Sequence, residues 1–270
     1  MVDSIRYQYK IALVCLTLFT APHICVNAAR AVEVGGKLPF RVGEKLTYNV
    51  TWLMFDAGRM VLSIPEMVSD SGQNLMHLKL HTATANTLAQ ICRMDDYFHS
   101  YWDVDSRASK KLVVKIRESF TTTDKVVEFD HHGAVAVVTE NGKEPEEKEL
   151  VPFAQDFLSA GYYTRLLPLE PSTQKKFSVF EDNQNYDAVV KVIKKEKIRI
   201  MGGEIDTVMI IPKIKLEGAF QSRGTIYMWL TDDEYKVPVK IKANIFVGTV
   251  TLLLTEAEGV NLNIKYAGKR

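Results

Sequence analysis

Cysteine is scarce in this chain of 270 residues. Only Cys15, Cys25 and Cys92 are present, and the first two lie in an amino-terminal segment that we expect to be removed. A single remaining thiol excludes an internal disulfide, even in an oxidising compartment. No local motif marks Cys92 as a nucleophile, and its apolar neighbours Leu88 and Ile91 favour a small buried hydrophobic role.

A surplus of charge of one sign is also missing. The formal net charge is +1. Removal of Asp3, Arg6 and Lys10 with residues 1–28 leaves basic and acidic side chains in equal number. Nucleic-acid binding depends on a surplus of Lys and Arg that displaces counterions from phosphate, so we exclude nucleic acid as a partner.

No hydrophobic run is long enough to span a bilayer, which takes about 20 apolar residues in a helix. The run at residues 11–21 follows Arg6 and Lys10 and has the length of a signal-peptide core, and residues 26–28 offer a cleavage site after Ala28. The residues before Cys25 do not fit a lipoprotein signal. We therefore predict export through a cleaved signal peptide to the periplasm or the exterior, with no transmembrane segment after cleavage.

From residue 44 onward, hydrophobic and polar side chains alternate. Leu46, Tyr48 and Val50 alternate with polar residues, which is the period of a half-buried strand. Ala57-Gly58 predicts a turn into a second strand, and about a dozen strands follow to residue 257, separated by turn signals. Sequential strands joined so closely pair antiparallel. Residues 143–149 are highly charged, and we expect a solvated loop there.

One segment has helical periodicity. Pro152 suits a first helical turn, and apolar residues from Phe153 to Leu166 recur on one face. A helix is therefore predicted at residues 152–166, packed on the sheet.

The predicted fold class is mainly β. A large antiparallel sheet must curl or split, so we expect a half-barrel or barrel-like sheet with the helix over its concave side. A two-sheet β-sandwich is the alternative. The chain then divides into a signal peptide (1–28), an N-terminal linker (29–42), a single all-β domain (43–260) and a C-terminal tail (261–270).

Three motifs resemble one protein family. They are Tyr48, Trp52 and Ala57-Gly58 in the first hairpin, residues 155–165 around the helix, and Asp232-Asp233-Glu234 followed by Val237-Pro238-Val239. Together they resemble the exported bacterial proteins of domain-of-unknown-function family 3108, from about residue 39 to residue 259. The resemblance implies an envelope location and a β-rich fold, and it implies no activity or cofactor. The chain departs from the pattern at Gly161, where we expect a larger apolar residue.

Two polar clusters contain residue types that can bind metals. His77 and His81 share one strand face, but Lys79 between them repels a cation, so a polar outer face is favoured. Asp232 and Asp233 lack the ligand spacing of a calcium loop, and we predict that they hydrogen-bond the amides of their own turn. No metal site, cofactor or catalytic residue is predicted.

Aromatic side chains are frequent in the predicted strands and helix. Large rings usually fill cores, but a curved sheet with an unfilled concave side would present them to an apolar ligand. We predict that six residues line such a slot: Trp52, Trp102, Phe153, Phe157, Tyr162 and Trp229.

The leading functional hypothesis is a non-enzymatic envelope protein whose curved sheet holds a lipid-like or other apolar molecule, or docks an envelope partner. One alternative is a hydrolase of envelope polymers that uses Asp156, Asp232 or Asp233 as acid and base, with two of them about 5–9.5 Å apart. Another is a structural or assembly factor that acts through a strand edge or an apolar patch. The sequence leaves the ligand, the partner and the oligomeric state open.

Overall fold

The computed structural model describes residues 37–70, 72–89, 92–215, 225–245 and 248–266. The expected signal peptide, residues 1–28, lies outside these ranges. Within them, no helix combines the length and the apolar character needed to cross a membrane.

Fourteen strands and two helices make up the described chain. The first half contains β1 (Lys45–Trp52), β2 (Phe55–Asp70), β3 (Gln73–Thr84), α1 (Asn86–Ala89), β4 (Asp95–Asp103), β5 (Ala108–Arg117), β6 (Thr122–Asp130), β7 (Val135–Glu140) and β8 (Glu146–Glu149). The second half contains α2 (Phe157–Leu166), β9 (Gln174–Glu181), β10 (Gln184–Ile200), β11 (Gly203–Lys215), β12 (Thr225–Thr231), β13 (Pro238–Ile245) and β14 (Gly248–Glu258).

These strands form one sheet in which every described ladder is antiparallel. Its order runs from β8 through β7 and on to β1, and then from β14 through β13 and on to β9. Each strand pairs with its neighbours in sequence, with two exceptions: β8 and β9 form the opposite edges of the sheet, and β1 pairs with β14 at the centre. The predicted fold class is confirmed: the protein is mainly β, and its curved antiparallel sheet does not close. The single sheet excludes the two-sheet sandwich.

A short segment bridges the gap between the two edge strands, β8 and β9. The backbone amide of Gln155 donates to Ser178 O at 2.9 Å, and the Phe180 amide donates to Gln155 O at 2.8 Å. The Asn185 side chain donates to Glu149 O at 2.7 Å and accepts from the Val151 amide at 2.9 Å. The sheet therefore resembles a barrel whose seam is spanned by residues 149–155.

The helix α2 lies in the concavity of the sheet, against β3, β4 and β9. Leu158, Tyr162 and Tyr163 enter the main hydrophobic core, and the Tyr163 ring lies 4.9 Å from that of Phe177. Gly161 lies on the exposed side of the helix, where an added Cβ would meet no atom within 4 Å. The departure from the family motif therefore leaves open space beside the helix.

The helix begins at Phe157 and not at residue 152 as predicted. Phe153 has a φ of 60°, which is incompatible with a right-handed helix, and Gln155 is paired with β9. The helix starts where Asp156 caps it, since Asp156 Oδ1 accepts from the amides of Leu158 and Ser159 at 2.8 and 2.9 Å. The N-cap, and not a proline in the first turn, sets the boundary.

Two further sequence predictions are wrong. Ala57-Gly58 lies inside β2, and the chain turns earlier, at Leu53 and Met54. Gly58 is required because a Cβ there would clash with the carbonyl oxygen of Ala83. The charged segment 143–149 contains the edge strand β8, which pairs with β7. An edge strand exposed to solvent accommodates such charge.

Candidate functional site

The two ends of the sheet differ in how completely its interior is filled. We call the end where β1 finishes and β2 begins the upper end, and the opposite end the lower end. At the lower end the Phe40 ring packs edge-on against Trp102 at 5.8 Å and against Tyr162 at 5.1 Å. Leu46, Tyr48 and Trp102 have no exposed surface. Packed aromatic rings therefore fill the interior at the lower end.

The interior near the upper end is less completely covered. Val50 continues the inward face of Leu46 and Tyr48 but is only partly buried, although the nearby Met60 and Val250 are 3% exposed. Other apolar side chains on this face are also partly buried: Met94, Val114, Ile116, Met228, Ile241 and Ile245. Within the described residues, the upper half of the sheet thus presents an apolar interior that is only partly buried.

The rim of the upper end carries exposed apolar side chains. In the turn between β1 and β2, Trp52 is 36% exposed, Leu53 54%, Met54 91% and Phe55 64%. Phe120, in the turn between β5 and β6 at the same end, is 69% exposed. Large contiguous apolar surface on a soluble protein usually marks a binding site.

The structure brings together some of the six predicted ligand-lining residues. Trp102 and Tyr162 share the lower core, and Phe157 is partly buried above it, with its ring 5.0 Å from Phe98. Trp52 lies at the upper rim. The role of these residues in lining a ligand slot stays a prediction.

The other two predicted residues lie elsewhere. Phe153 is 48% exposed in the segment after β8, at the lower end. Trp229 is 9% exposed and belongs to the main hydrophobic cluster, but it alternates with Met228 and Leu230 along β12 and so lies on the opposite face of that strand. There its Nε1 donates to Glu196 Oε1 at 2.8 Å, and the Lys240 ammonium stands 4.9 Å from the ring.

A buried ion pair that the sequence analysis missed fixes α2 at the lower end. The guanidinium of Arg165 binds the Glu44 carboxylate through both terminal nitrogens, at 2.5 and 2.8 Å. The two side chains are 2% and 1% exposed. Arg165 also donates to the carbonyls of Tyr235 and Pro39, at 3.0 and 3.1 Å. An arginine on the apolar face of a helix is the sequence signal that such a partner exists.

A second buried polar cluster anchors the start of α2. Asp156 Oδ2 accepts from the hydroxyls of Ser100 and Ser109 at 2.5 and 2.7 Å, and Ser109 shares a further bond of 2.7 Å with Ser159. All four side chains are completely buried. Burial raises the pKa of Asp156, and the bonds from Ser100 and the Ser159 amide act against that rise. The cluster ties the helix to β4 and β5.

The other carboxylates considered for hydrolysis have different surroundings. Asp233 Oδ1 accepts from the Thr231 hydroxyl at 2.6 Å and from the amides of Tyr235 and Lys236 at 2.9 and 3.0 Å. Asp232 pairs with Lys195 at 2.9 Å. These bonds do not favour the hydrolase hypothesis. Among the described residues, no group of His, Cys, Asp or Glu side chains is arranged to hold a metal ion.

The histidines of β3 and β4 face outward. His77 Nε2 lies 2.9 Å from His99 Nδ1, and His81 Nε2 lies 2.8 Å from Asp95 Oδ1. Burial, followed by the charge of the neighbouring His77, lowers the pKa of His99 to about 4. His99 is therefore neutral at pH 7 and completes a polar outer surface.

Two carboxyl groups on the interior side have raised pKa values. Burial raises the pKa of Asp96 to about 6; its Oδ1 accepts from the Arg117 amide at 2.8 Å, whereas Oδ2 makes no hydrogen bond within the described chain. Burial, and then the neighbouring Asp182 carboxylate, raise the pKa of Glu181 to about 8. Both shifts favour the protonated form in the folded chain relative to the unfolded chain.

The raised pKa of Glu181 predicts a stability that falls as the pH rises. Between about pH 5 and pH 8, the folded chain keeps a proton that the unfolded chain has lost, so the free energy of unfolding decreases over this range. Because the side chain is partly exposed, we expect a decrease of about 2 kcal/mol from this group. Urea unfolding of the wild type and of Glu181→Gln at about pH 5 and about pH 8 measures this decrease in the free energy of unfolding. An equal pH dependence in the two proteins would contradict the assignment.

Several solved structures are similar to this chain, and the first of them supports the fold. A β-barrel-like protein of the domain of unknown function DUF1849 from Brucella abortus is similar, with a TM-score of 0.54 and 12% identity over 80% of this chain and 97% of that chain. A protein from Bacteroides fragilis, described as exported and as having a YmcC-like fold, gives a TM-score of 0.38 and 8% identity over 82% and 97%. A protein from Parabacteroides distasonis, described as a lipoprotein, gives 0.35 and 9% over 80% and 95%.

Comparison with sequences identifies the family. The chain matches no curated protein significantly. The model of the family "Protein of unknown function (DUF3108)" matches residues 47–255. That match contains the apolar turn between β1 and β2, the Asp156 cluster and the aspartate-rich turn. The chain therefore belongs to the DUF3108 family, which its sequence motifs resemble.

Proposed function

We propose that this protein is an exported envelope protein that binds a lipid-like or other apolar molecule in the upper half of its curved sheet. The observation that carries the proposal is the contrast between the two halves of the interior. Aromatic rings and α2 fill the lower half, whereas inward apolar side chains such as Ile116 and Ile241 remain partly uncovered in the upper half. An apolar concave surface of this kind is the usual character of a ligand site.

The opening of this site supports an apolar ligand. The rim carries Met54 and Phe55, which are 91% and 64% exposed, so an apolar molecule that enters from the upper end meets apolar surface first. Export is supported by the predicted signal peptide at residues 1–28.

The sheet edges give little support to the alternative of an assembly factor that recruits partners by strand pairing. The edge strand β8 has the sequence Glu-Glu-Lys-Glu, and the edge strand β9 begins with Gln174, Lys175 and Lys176. Charged residues on an edge oppose pairing with another strand.

The ligand proposal is tested with the protein recovered after export. Native mass spectrometry and analysis of an organic extract should reveal a co-purified apolar molecule. A fluorescent long-chain fatty acid should bind to the protein after extraction. Ile116→Trp fills the upper interior and should weaken that binding at least about tenfold, since the displaced apolar contacts contribute more than 1.4 kcal/mol.

Lys115→Trp supplies the matched control. Lys115 is the neighbouring residue on β5 and points outward, where it is exposed. The same bulk placed there should leave binding unchanged. Equal loss in both variants, or no binding by the wild type and no extracted molecule, would overturn the proposal.

A further inference from the structure

We propose that the β1–β2 tip, defined as residues 52–55, inserts into the interfacial region of a lipid bilayer and holds the upper end of the sheet against the membrane. The tip joins two central strands, because β1 lies between β2 and β14. Its exposed apolar side chains therefore protrude from a part of the sheet whose strands are paired on both sides. Docking through this tip would bring the opening of the sheet to the membrane surface.

The backbone of the tip is held in place. The Leu53 amide donates to Thr249 O at 2.9 Å, and Trp52 pairs with Val250 across the β1–β14 ladder. The Leu53 side chain lies so close to Gly248 that any Cβ there would clash with it. These contacts fix the tip, so that Met54 and Phe55 remain extended toward solvent.

The exposed area favours a membrane over a second copy of the chain. Large side chains bury about 150–250 Å² each, so exposures of 36–91% give the tip on the order of 450 Å². A specific protein–protein interface takes about 800 Å² from each partner. A narrow convex tip therefore suits insertion among lipid headgroups and acyl chains, where no complementary pocket is required.

The charge of the tip indicates which lipid surface it fits. Residues 52–55 contain no ionisable side chain, and the nearby Arg59 is paired with Glu256 at 2.9 Å. The exposed Asp56 follows the tip directly and would be repelled by an anionic surface. Tryptophan is favoured at the membrane interface, where its ring is both apolar and polar. The tip thus suits an uncharged, zwitterionic bilayer.

A second contact point sets the orientation. Phe120, 69% exposed, lies at the same upper end in the turn between β5 and β6, four strands from β1 in the sheet. The β1–β2 tip and Phe120 lie on different sides of the opening. Contact of both with the bilayer would orient the whole upper end of the sheet toward the membrane surface.

The test uses flotation of the exported protein with phosphatidylcholine vesicles. The wild type should float with the vesicles, and Met54→Ser/Phe55→Ser should bind at least about tenfold more weakly, as expected when two apolar side chains leave hydrocarbon. Vesicles with brominated acyl chains should quench the fluorescence of Trp52 but not that of the buried Trp102. Raising the salt concentration should not release the protein.

Met67→Ser/Phe153→Ser is the matched control. It removes the same pair of residue types from exposed positions, 43% and 48%, at the lower end, and it should bind vesicles as the wild type does. Equal loss in both double variants, binding that needs anionic lipid and low salt, or a dimer that the tip variant abolishes would each overturn the inference. Fatty-acid binding is measured without vesicles. A protein that fails to float with vesicles can therefore still support the ligand proposal, and a protein that binds no fatty acid can still support docking through the tip.

Discussion

Replacement of Arg165 by alanine is expected to lower the free energy of unfolding by about 3–5 kcal/mol. The substitution leaves the Glu44 carboxylate, whose side chain is 1% exposed, without its countercharge in the interior. It also removes a guanidinium that stands 5.2 Å from the Phe40 ring and 5.6 Å from the Tyr162 ring. Chemical denaturation followed by the fluorescence of the buried Trp102 measures the loss.

Two controls separate the ion pair from other effects. The double variant Glu44→Met/Arg165→Met removes both charges together and should recover most of the loss, because a buried pair replaced by apolar side chains is often neutral. Arg59→Ala breaks a pair of similar length, 2.9 Å, whose side chains are 56% and 57% exposed, and it should cost less than about 1 kcal/mol. A double variant as unstable as Arg165→Ala would show that the two charges are not coupled.

Replacement of Asp156 by alanine is expected to cost about 3–4 kcal/mol. The helix α2 loses its N-cap, which contributes about 1–2 kcal/mol, and the buried hydroxyls of Ser100 and Ser109 lose their acceptor at a further cost of about 1–3 kcal/mol. Gln155, the residue before Asp156, spans the seam and accepts from Trp102 Nε1 at 3.0 Å. Its hydrogen bonds should weaken as well. Thermal or urea unfolding measures the change.

Asp156→Asn tests whether the loss of stability in Asp156→Ala comes from the missing helix cap and hydrogen bonds. Asparagine caps helices well, and its amide group lets the two serine hydroxyls rotate and accept in place of donating. We expect a loss of about 1 kcal/mol, well below that of Asp156→Ala. If the two variants were equally unstable, the hydrogen-bonded cluster would not be what anchors the helix.

Most strands of the sheet could be predicted from sequence because each has one buried face, which imposes alternation on its residues. The alternation at Leu46, Tyr48 and Val50 is such a case, and it remains visible in the structure as three inward side chains. The prediction failed where a strand has no buried face to impose the pattern. The edge strand β8 consists of charged residues only, and it is held by backbone pairing with β7.

The candidate site could be predicted only in general terms. Aromatic residues suggested an apolar interior, but Trp229 faces the other side of the sheet, because the face of a strand depends on register and bulges that the sequence does not reveal. The interior role of Glu44 was also hidden, since its partner Arg165 is 121 positions away. The sequence predicts the turn at Ala57-Gly58, beyond Met54 and Phe55, whereas in the structure the chain turns at Leu53 and Met54.

The pairing of β1 with β14 has a consequence for how the protein is made. These strands sit side by side in the middle of the sheet, with Lys45 opposite Glu258 and Trp52 opposite Val250, yet about 200 residues of chain separate them. Contacts so distant in sequence form slowly, because a long loop must close first. In the export that we propose, a chain that crosses a translocation channel amino-terminus first would release β14 last. Its central ladder would then form only after most of the chain has crossed, which would keep the polypeptide unfolded during export.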